Sequence, residues 1–355
     1  MLATNLVVVL ILILTLIGAH ISPVKLILIA YPSLIFPVII ILNVFFVLFW
    51  ILARKWYFVI SLLLLLFSAK QINDAIPIHF AKTKTEATGK SIKILTYNTM
   101  MSGSLQKHDE KHVNPLFQYI LESDADIICL QEFAISPKDK YLTEDDVKKI
   151  FKKYPYQHIW YKSDQSWAKS GIATFSKYPI INKENIEFNS KYNTMIYSDI
   201  VIENETIRLF NNHLESNRLT ERDRELPIQL KNNFDSDKLS GTTMHLSRKL
   251  NAAYKKRALQ ADTIACLVKE SPYKVVICGD FNDVPVSYTY TTIKGKLKDA
   301  FSETGLGLGW TLNLSIYKFR LDYILYDSTF VVENYNVSKV NCSDHYPVEC
   351  NISIR

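Results

Sequence analysis

KVVICGDFND (residues 274–283) decides the fold: four apolar residues, Val275 to Cys278, run into Gly279, and Asp280 and Asn282 follow two positions apart. A short apolar run of this kind reads as a strand buried on both faces. A buried strand that ends on glycine and at once presents a carboxylate and a carboxamide has the form of an active-site edge. Residues i and i+2 of an extended segment point the same way, so Asp280 and Asn282 can address one phosphate or one attacking water together. The plainer alternative is a strand followed by an Asx turn.

Outward from this stretch, short β-like runs alternate with helical ones from residue 91 to the C-terminus. Further strands are expected at 92–97, 127–131, 172–175, 195–201, 207–211, 321–326 and 346–352, and helices at 114–122, 145–153 and 246–269. No internal repeat of fixed period appears. The size and pattern of 91–355 suit one α/β (α+β) domain, a two-sheet sandwich with helices outside.

The 355 residues carry +6 formal charge and are 48% hydrophobic, but unevenly. Residues 1–73 contain no acid, and their only Lys and Arg residues are Lys25, Arg54, Lys55 and Lys70. The apolar run 26–53 is long enough to cross a bilayer even with Pro32, Pro37 and Asn43 inside it, and 6–19 precedes it. The run 56–69 is short for a core of about 30 Å unless Arg54, Lys55 and Lys70 snorkel. A cleaved signal would be followed by soluble sequence, whereas here a longer apolar run follows, so 1–70 reads as an integral anchor of two or three transmembrane helices. Residues 71–90, polar and Lys/Thr-rich, read as a linker.

The remainder, 91–355, keeps a net charge of only +1, a weak footprint for a protein gripping long nucleic acid. Segment 217–256 holds nine Lys/Arg against five Asp/Glu, which suits a solvated helical face or a site for an anionic substrate or lipid headgroup. The five cysteines show no CxxC spacing, and Cys129 and Cys278 lie in apolar runs. They read as buried thiols, not as zinc ligands or a disulfide framework.

Polar groups recur at strand ends. Asn98 ends KILTYN, Glu132 ends DIICLQE, His213 follows RLFNN, and Asp344 and His345 stand in SDH before the last strand. With SGIATFSKYPI (170–180), RLDYIL (320–325) and GDFND, in this order, they make 91–355 resemble the endonuclease/exonuclease/phosphatase superfamily, in the form of a membrane-anchored bacterial member. The resemblance implies a DNase I-like two-sheet sandwich and metal-dependent hydrolysis of phosphoric esters. That chemistry needs a cation against the phosphoryl oxygens, an activated in-line water and a donor for the leaving oxygen.

On that resemblance Glu132 is the principal Mg²⁺ ligand (Mn²⁺ as a substitute), supported by Asn98, with Asp344 facing the metal side. His345 is the general base and Asp322 its orienting partner. Asp280 positions the water, Asn282 donates to a phosphoryl oxygen, and His213 donates to the phosphate or the leaving group. Arg257 and Gln260 in RALQA match an Arg/Gln pair of related bacterial sequences and would bind substrate, although an Arg on an amphipathic helix commonly just covers apolar surface. Tyr97, Ser176 and Tyr346 are expected to pack.

The superfamily embraces nucleases, lipid and phosphoinositide hydrolases and nucleotide phosphatases, so the fold does not select a substrate. Arg54 and Lys55 mark a cytoplasmic loop; if 56–69 crosses, the catalytic domain is extracytoplasmic, and if it lies along the interface the domain is cytoplasmic. The expectation is a cell-membrane phosphodiesterase whose partners are the bilayer and a lipid-type or other extracytoplasmic phosphodiester. The alternatives are a DNA endo/exonuclease and a catalytically silent membrane scaffold. Nothing in the sequence indicates an oligomeric state.

Overall fold

The computed structural model describes residues 1–79, 89–109, 111–218, 223, 236–314 and 318–354, with 236–242 as backbone alone. Its centre is a pair of six-stranded sheets. The first contains β1 (Lys90–Asn98), β2 (Ile127–Ile135), β3 (Tyr156–Gln165), β4 (Ala168–Ser176), β11 (Val331–Val337) and β12 (Val348–Ile354), in the order β11-β12-β1-β2-β4-β3. The second contains β5 (Ile180–Ile186), β6 (Thr194–Ile202), β7 (Glu205–His213), β8 (Lys274–Asp280), β9 (Lys298–Asp299) and β10 (Asp322–Tyr326), in the order β5-β6-β7-β8-β10-β9. Each sheet has one parallel pair near its middle, β1 with β2 and β7 with β8. Parallel neighbours need a crossover, and helices α5 (Pro115–Glu122) and α7 (Ser236–Lys269) lie in those two connections.

Alternation assigns the faces. Ile92, Ile94, Ile127, Cys129, Ile207, Leu209, Val276, Cys278 and Ile324 meet between the sheets in one apolar core. Their odd-even neighbours Leu95, Tyr97, Ile128 and Leu130 pack outward against α5 and α6 (Glu144–Ile150). Phe210, Val275, Ile277, Tyr323 and Leu325 pack against α7 and α8 (Tyr288–Lys294). Tyr97 is fully buried in the outer cluster, and Ser176 caps a turn through the Tyr178 backbone.

The strands expected from apolar runs are present, with ends shifted by a few residues, but β3, β5, β9 and β11 were not anticipated. All four are sheet edges. Edge strands carry polar side chains that break the apolar signal, as in IINKENI of β5. Cys129, Cys278 and Cys350 are buried free thiols, and Cys266 is free and exposed.

The N-terminal residues form a helical bundle: α1 (Leu2–Gly18), a 3₁₀ segment (Ile27–Ile35), α2 (Phe36–Leu52), α3 (Phe58–Phe67) and α4 (Ala69–Ala75). Pro32 and Pro37 each remove an N–H donor, and the chain takes the 3₁₀ path until α2 starts with Pro37 in its first turn. Among the described residues one helix, Ile27–Leu52, is long and apolar enough to cross a membrane; α1 is shorter, and α3 with α4 qualifies only if a 66° bend is allowed within one span. Val8, Phe46, Trp50, Tyr57 and Phe58 gather at one end of the bundle. At that end Asn5 donates to Ser61 Oγ at 2.8 Å and accepts from Trp50 Nε1 at 2.9 Å. Leu12, Leu16, Ala19, Phe36 and Ala75 gather at the other end, around Val286 of the two-sheet domain.

The bundle is docked, not tethered. Tyr31 Oη donates to Asn251 Oδ1 at 2.6 Å and its ring meets Tyr254 edge-on at 5.6 Å. The stretch expected as a linker continues as α4 and then extends along the domain: Asn73 Nδ2 donates to Ser302 O at 3.0 Å, Asp74 pairs with Lys294, and Arg320 Nη2 donates to Asp74 O at 2.5 Å. The rest of that stretch, 80–88, and much of the basic segment 217–256 lie outside the described residues.

Candidate active site

Strand register gathers the polar residues. His213 of β7 is the partner of Asp280 on β8, and Asp280 is the partner of Asp322 on β10. The same period that sends Leu209, Val276 and Ile324 into the inter-sheet core sends these three into the space between the sheets at its open end. Asn98 ends β1 on the facing sheet, and its Nδ2 donates to Asp280 Oδ2 at 3.0 Å.

Glu132 breaks that period. Alternation aims Gln131 inward, where its Nε2 donates to Asn211 Oδ1 at 2.7 Å and Thr96 Oγ1 at 3.1 Å, and would aim Glu132 outward. A bulge between Gln131 and Phe133, with Glu132 at φ 49°, re-aims the carboxylate into the cleft. Asn282 is also left-handed (φ 52°), and its N–H donates to Asp280 Oδ1 at 2.8 Å. The two readings of GDFND therefore coexist: an Asx turn sits at the edge of the cleft. Gly279 at φ 127° has no room for a side chain, since a Cβ would lie 2.1 Å from Asn212 O.

His345 Nδ1 lies 2.8 Å from Asp322 Oδ2, and its Nε2 is 3.8 Å from Asp280 Oδ2. Burial alone would lower its pKa, but the Asp322 and Asp280 carboxylates outweigh burial and raise it to about 10. Asp280 is pushed up to about 6 by burial, opposed by His345. Burial pushes the His213 pKa down; Nε2 is 3.7 Å from Glu132 Oε1 and 3.2 Å from Asn193 Nδ2.

Two residue sets have the chemistry of a cation site. Asp280, Asp322 and His345 bring ligand-type atoms within 4.8 Å of one another, but all are at most 5% exposed and the His345–Asp322 hydrogen bond closes the set. Glu132, Asp344 and Asn98 line the open cavity, and the Glu132 side chain is 36% exposed. Burial and the Asp344 charge raise the Glu132 pKa, and among the described residues neither carboxylate is ion-paired with Lys or Arg. Two carboxylates facing one space with no Lys or Arg ion pair among the described residues, beside a carboxamide and room for water, fit a hard divalent cation.

The remaining expected residues stand at or behind this set. Both hydrogens of the Asn282 carboxamide are engaged, by Leu214 O at 2.9 Å and Asp280 Oδ2 at 3.0 Å. Arg257 is fully buried, donating to Glu215 O at 2.8 Å, Asn217 Oδ1 at 2.9 Å and Asp283 Oδ2 at 3.3 Å; its Nη2 has no partner among the described residues, and the residue borders the cavity. Gln260 does not reach the cavity; its Oε1 accepts from Glu215 N at 2.9 Å.

Sequence reasoning missed Asn193 beside His213, the Gln131–Asn211 layer beneath the site, and Leu34. An Asn or Gln inside a strand that also carries Leu or Ile on the same face was the available signal for the layer; none existed for Leu34. The cavity over Glu132, Asp280, Asp344 and His345 measures about 220 Å³. Beyond Glu132 and Arg218 a second hollow of about 300 Å³ passes His213, Asn193 and Tyr192, and a third, of about 230 Å³, runs past Lys191 and Trp167.

Residues 95–345 match the model of the Endonuclease/Exonuclease/phosphatase family, and residues 1–75 match a Domain of unknown function (DUF8431). The fold is similar to truncated Caenorhabditis elegans TDP2, at 15% identity over 74% of this chain and 98% of that one, with a TM-score of 0.50. It is similar also to D. rerio TDP2 complexed with single strand DNA product, at 15% identity over 75% of this chain and 100% of that one, with a TM-score of 0.50. No curated protein matches the sequence.

Proposed function

The chain belongs to the endonuclease/exonuclease/phosphatase family and is a metal-dependent phosphoric ester hydrolase; on that premise we propose that it is a membrane-anchored, Mg²⁺-dependent phosphodiesterase acting on a lipid-type diester outside the cytoplasm. The observation that carries the reading is that the cavity over Glu132 and Asp280 is bordered by Leu34, from the apolar N-terminal bundle. Many apolar side chains of that bundle are exposed, among them Leu6, Leu10, Ile41, Leu48, Leu63 and Phe67, a belt that suits lipid better than water. Arg54 and Lys55 follow the end of α2 that carries Trp50, the end remote from the catalytic domain. With those two residues in the cytoplasm, the catalytic domain lies on the opposite side.

Glu132, Asp344 and Asn98 would hold Mg²⁺. The bound ion supplies positive charge against the phosphoryl oxygens. Asp280, raised toward neutrality yet still ionised at pH 7, takes the proton of the attacking water at Oδ2. His345, kept protonated by Asp322 and Asp280, offers its Nε2–H to a phosphoryl or leaving oxygen. These roles exchange base and donor relative to the sequence expectation, because a ring flanked by two carboxylates holds its proton while the buried carboxylate more readily gains one. Arg257 and Gln260 fix the Glu215 backbone at the rim.

Nuclease activity is the second reading, favoured by Lys191, Trp167 and Tyr192 along the far hollow, where single-stranded bases could stack. The test is a screen of the full chain in nanodiscs with Mg²⁺ against phospholipids, plasmid DNA and nucleotides. Phospholipid turnover is expected; salt-sensitive cleavage of DNA without lipid turnover supports the nuclease instead.

A further inference from the structure

The cavity has two chemically opposite halves. One is the polar set of Asn98, Glu132, Asp280, Asp344 and His345. The other is a single apolar cluster in which Val284, Leu312 and Leu321 pack with Leu34, Leu314 and Phe319. Of these six side chains only Phe319 offers a nucleobase a ring to stack on, and a sugar phosphate has no apolar surface to bury there, whereas a hydrocarbon chain can remove its methylenes from water against all six.

Leu34 supplies the direction of entry. It belongs to the continuous helical stretch Ile27–Leu52 that is long and apolar enough to cross a bilayer, and its neighbours Leu28 and Ile35 are exposed. The apolar half of the cavity therefore includes a side chain of the helical stretch that would meet lipid. The bundle is held at this place by Tyr31 on Asn251 and Tyr254 and by Asp74 on Lys294, so Leu34 is a built part of the wall.

Resting on the phosphodiesterase reading above, we infer that the N-terminal bundle completes the substrate site: an acyl chain of a bilayer phospholipid passes Leu34 and lies against Leu312, Leu314 and Phe319 while its phosphodiester reaches Glu132 and Asp280. The anchor is then a specificity element as well as a tether. It selects substrates that carry hydrocarbon, and it delivers them laterally from the membrane.

The experiment uses the full chain carrying Glu132→Gln, in nanodiscs of phosphatidylcholine doped with a phosphatidylcholine bearing a diazirine on one acyl chain. After irradiation, cross-linked residues are mapped by mass spectrometry. Labelling is expected at Leu312, Leu314 or Phe319 inside the cavity as well as at lipid-facing residues such as Leu48 and Leu63. Leu34→Trp, which fills the entrance, and Leu314→Asn, which puts an amide on the wall, should each cut cavity labelling about tenfold while Leu48 labelling persists as a control for folding and insertion. Labels confined to the outer faces of the helices, or cavity labels insensitive to both substitutions, overturn the inference. Mg²⁺-dependent turnover of bis(4-nitrophenyl) phosphate by the unsubstituted chain tests the phosphodiesterase reading separately, so the failure of one is not mistaken for the failure of the other.

Discussion

Asp280 and Asp322 are register partners on the antiparallel strands β8 and β10, each about 1% exposed, and they hold one imidazole between them: Asp322 Oδ2 is 2.8 Å from His345 Nδ1, and Asp280 Oδ2 is 3.8 Å from His345 Nε2. The ring is thereby fixed in orientation and kept charged. Two buried carboxylates would repel each other without it.

Asp322→Asn keeps the shape of the dyad and removes the charge that orients and protonates the ring. Turnover of bis(4-nitrophenyl) phosphate is expected to drop by a factor on the order of 10³, and the His345 resonance should titrate at lower pH than in the parent. A drop in turnover with an unmoved titration would separate Asp322 from the state of His345.

Glu132→Gln removes one of the two carboxylates proposed to hold Mg²⁺. Mg²⁺ binding measured by calorimetry should weaken by about tenfold or more, hydrolysis should be abolished, and circular dichroism should be unchanged. Chelation of the parent is expected to stop turnover, and added Mg²⁺ or Mn²⁺ to restore it. Unaltered Mg²⁺ affinity in the variant would move the ion to the Asp280 side.

Arg257→Met leaves Asp283 buried without its ion partner and strips two donors from Glu215 O and Asn217. Urea unfolding should report a loss of about 3 kcal/mol. A raised KM at undiminished stability would instead give Arg257 the substrate-binding role that its motif suggests.

His158 bridges the sheets, with Nδ1 2.9 Å from Ser198 Oγ and Nε2 3.0 Å from Asn185 Oδ1. Burial lowers its pKa below the ordinary value of 6.5. The unfolded chain therefore binds the proton more readily, so this contribution is complete above about pH 6.5 and is lost as pH falls through the window beneath it. Between pH 7 and 5 the Tm of the parent should fall more steeply than that of His158→Gln; parallel curves would deny the group any linkage.

A reporter fused after residue 90, in a chain truncated there, should be active only on the extracytoplasmic side of the membrane. Activity confined to the cytoplasm would mean that Phe58–Phe67 does not cross.

The inward-facing site was legible because it repeats a simple pattern: a buried strand with a polar residue at its end, as in KVVICGD and RLFNNH. Edge strands such as β5 were not, since their alternation carries Asn, Lys and Glu. The pairing of Arg257 with Asp283 and the distance of Gln260 from the cavity depend on how α7 lies over the second sheet, and an isolated RALQA says nothing of that. Asn282 appeared as a free donor, but the turn it occupies spends its carboxamide on Leu214 and Asp280.

The order of the residues by itself determined the apolar N-terminal segment, the central strands and which polar side chains stand at strand ends, because hydrophobic period and motif order are local properties of the chain. Tertiary structure decided the rest. The bulge at Glu132 turned an outward position into a cleft residue, strand register set His213, Asp280 and Asp322 in one row, and the docking of the bundle brought Leu34 to a cavity whose other walls come from residues as distant in sequence as His345. Each depends on long-range packing, which no window of sequence contains.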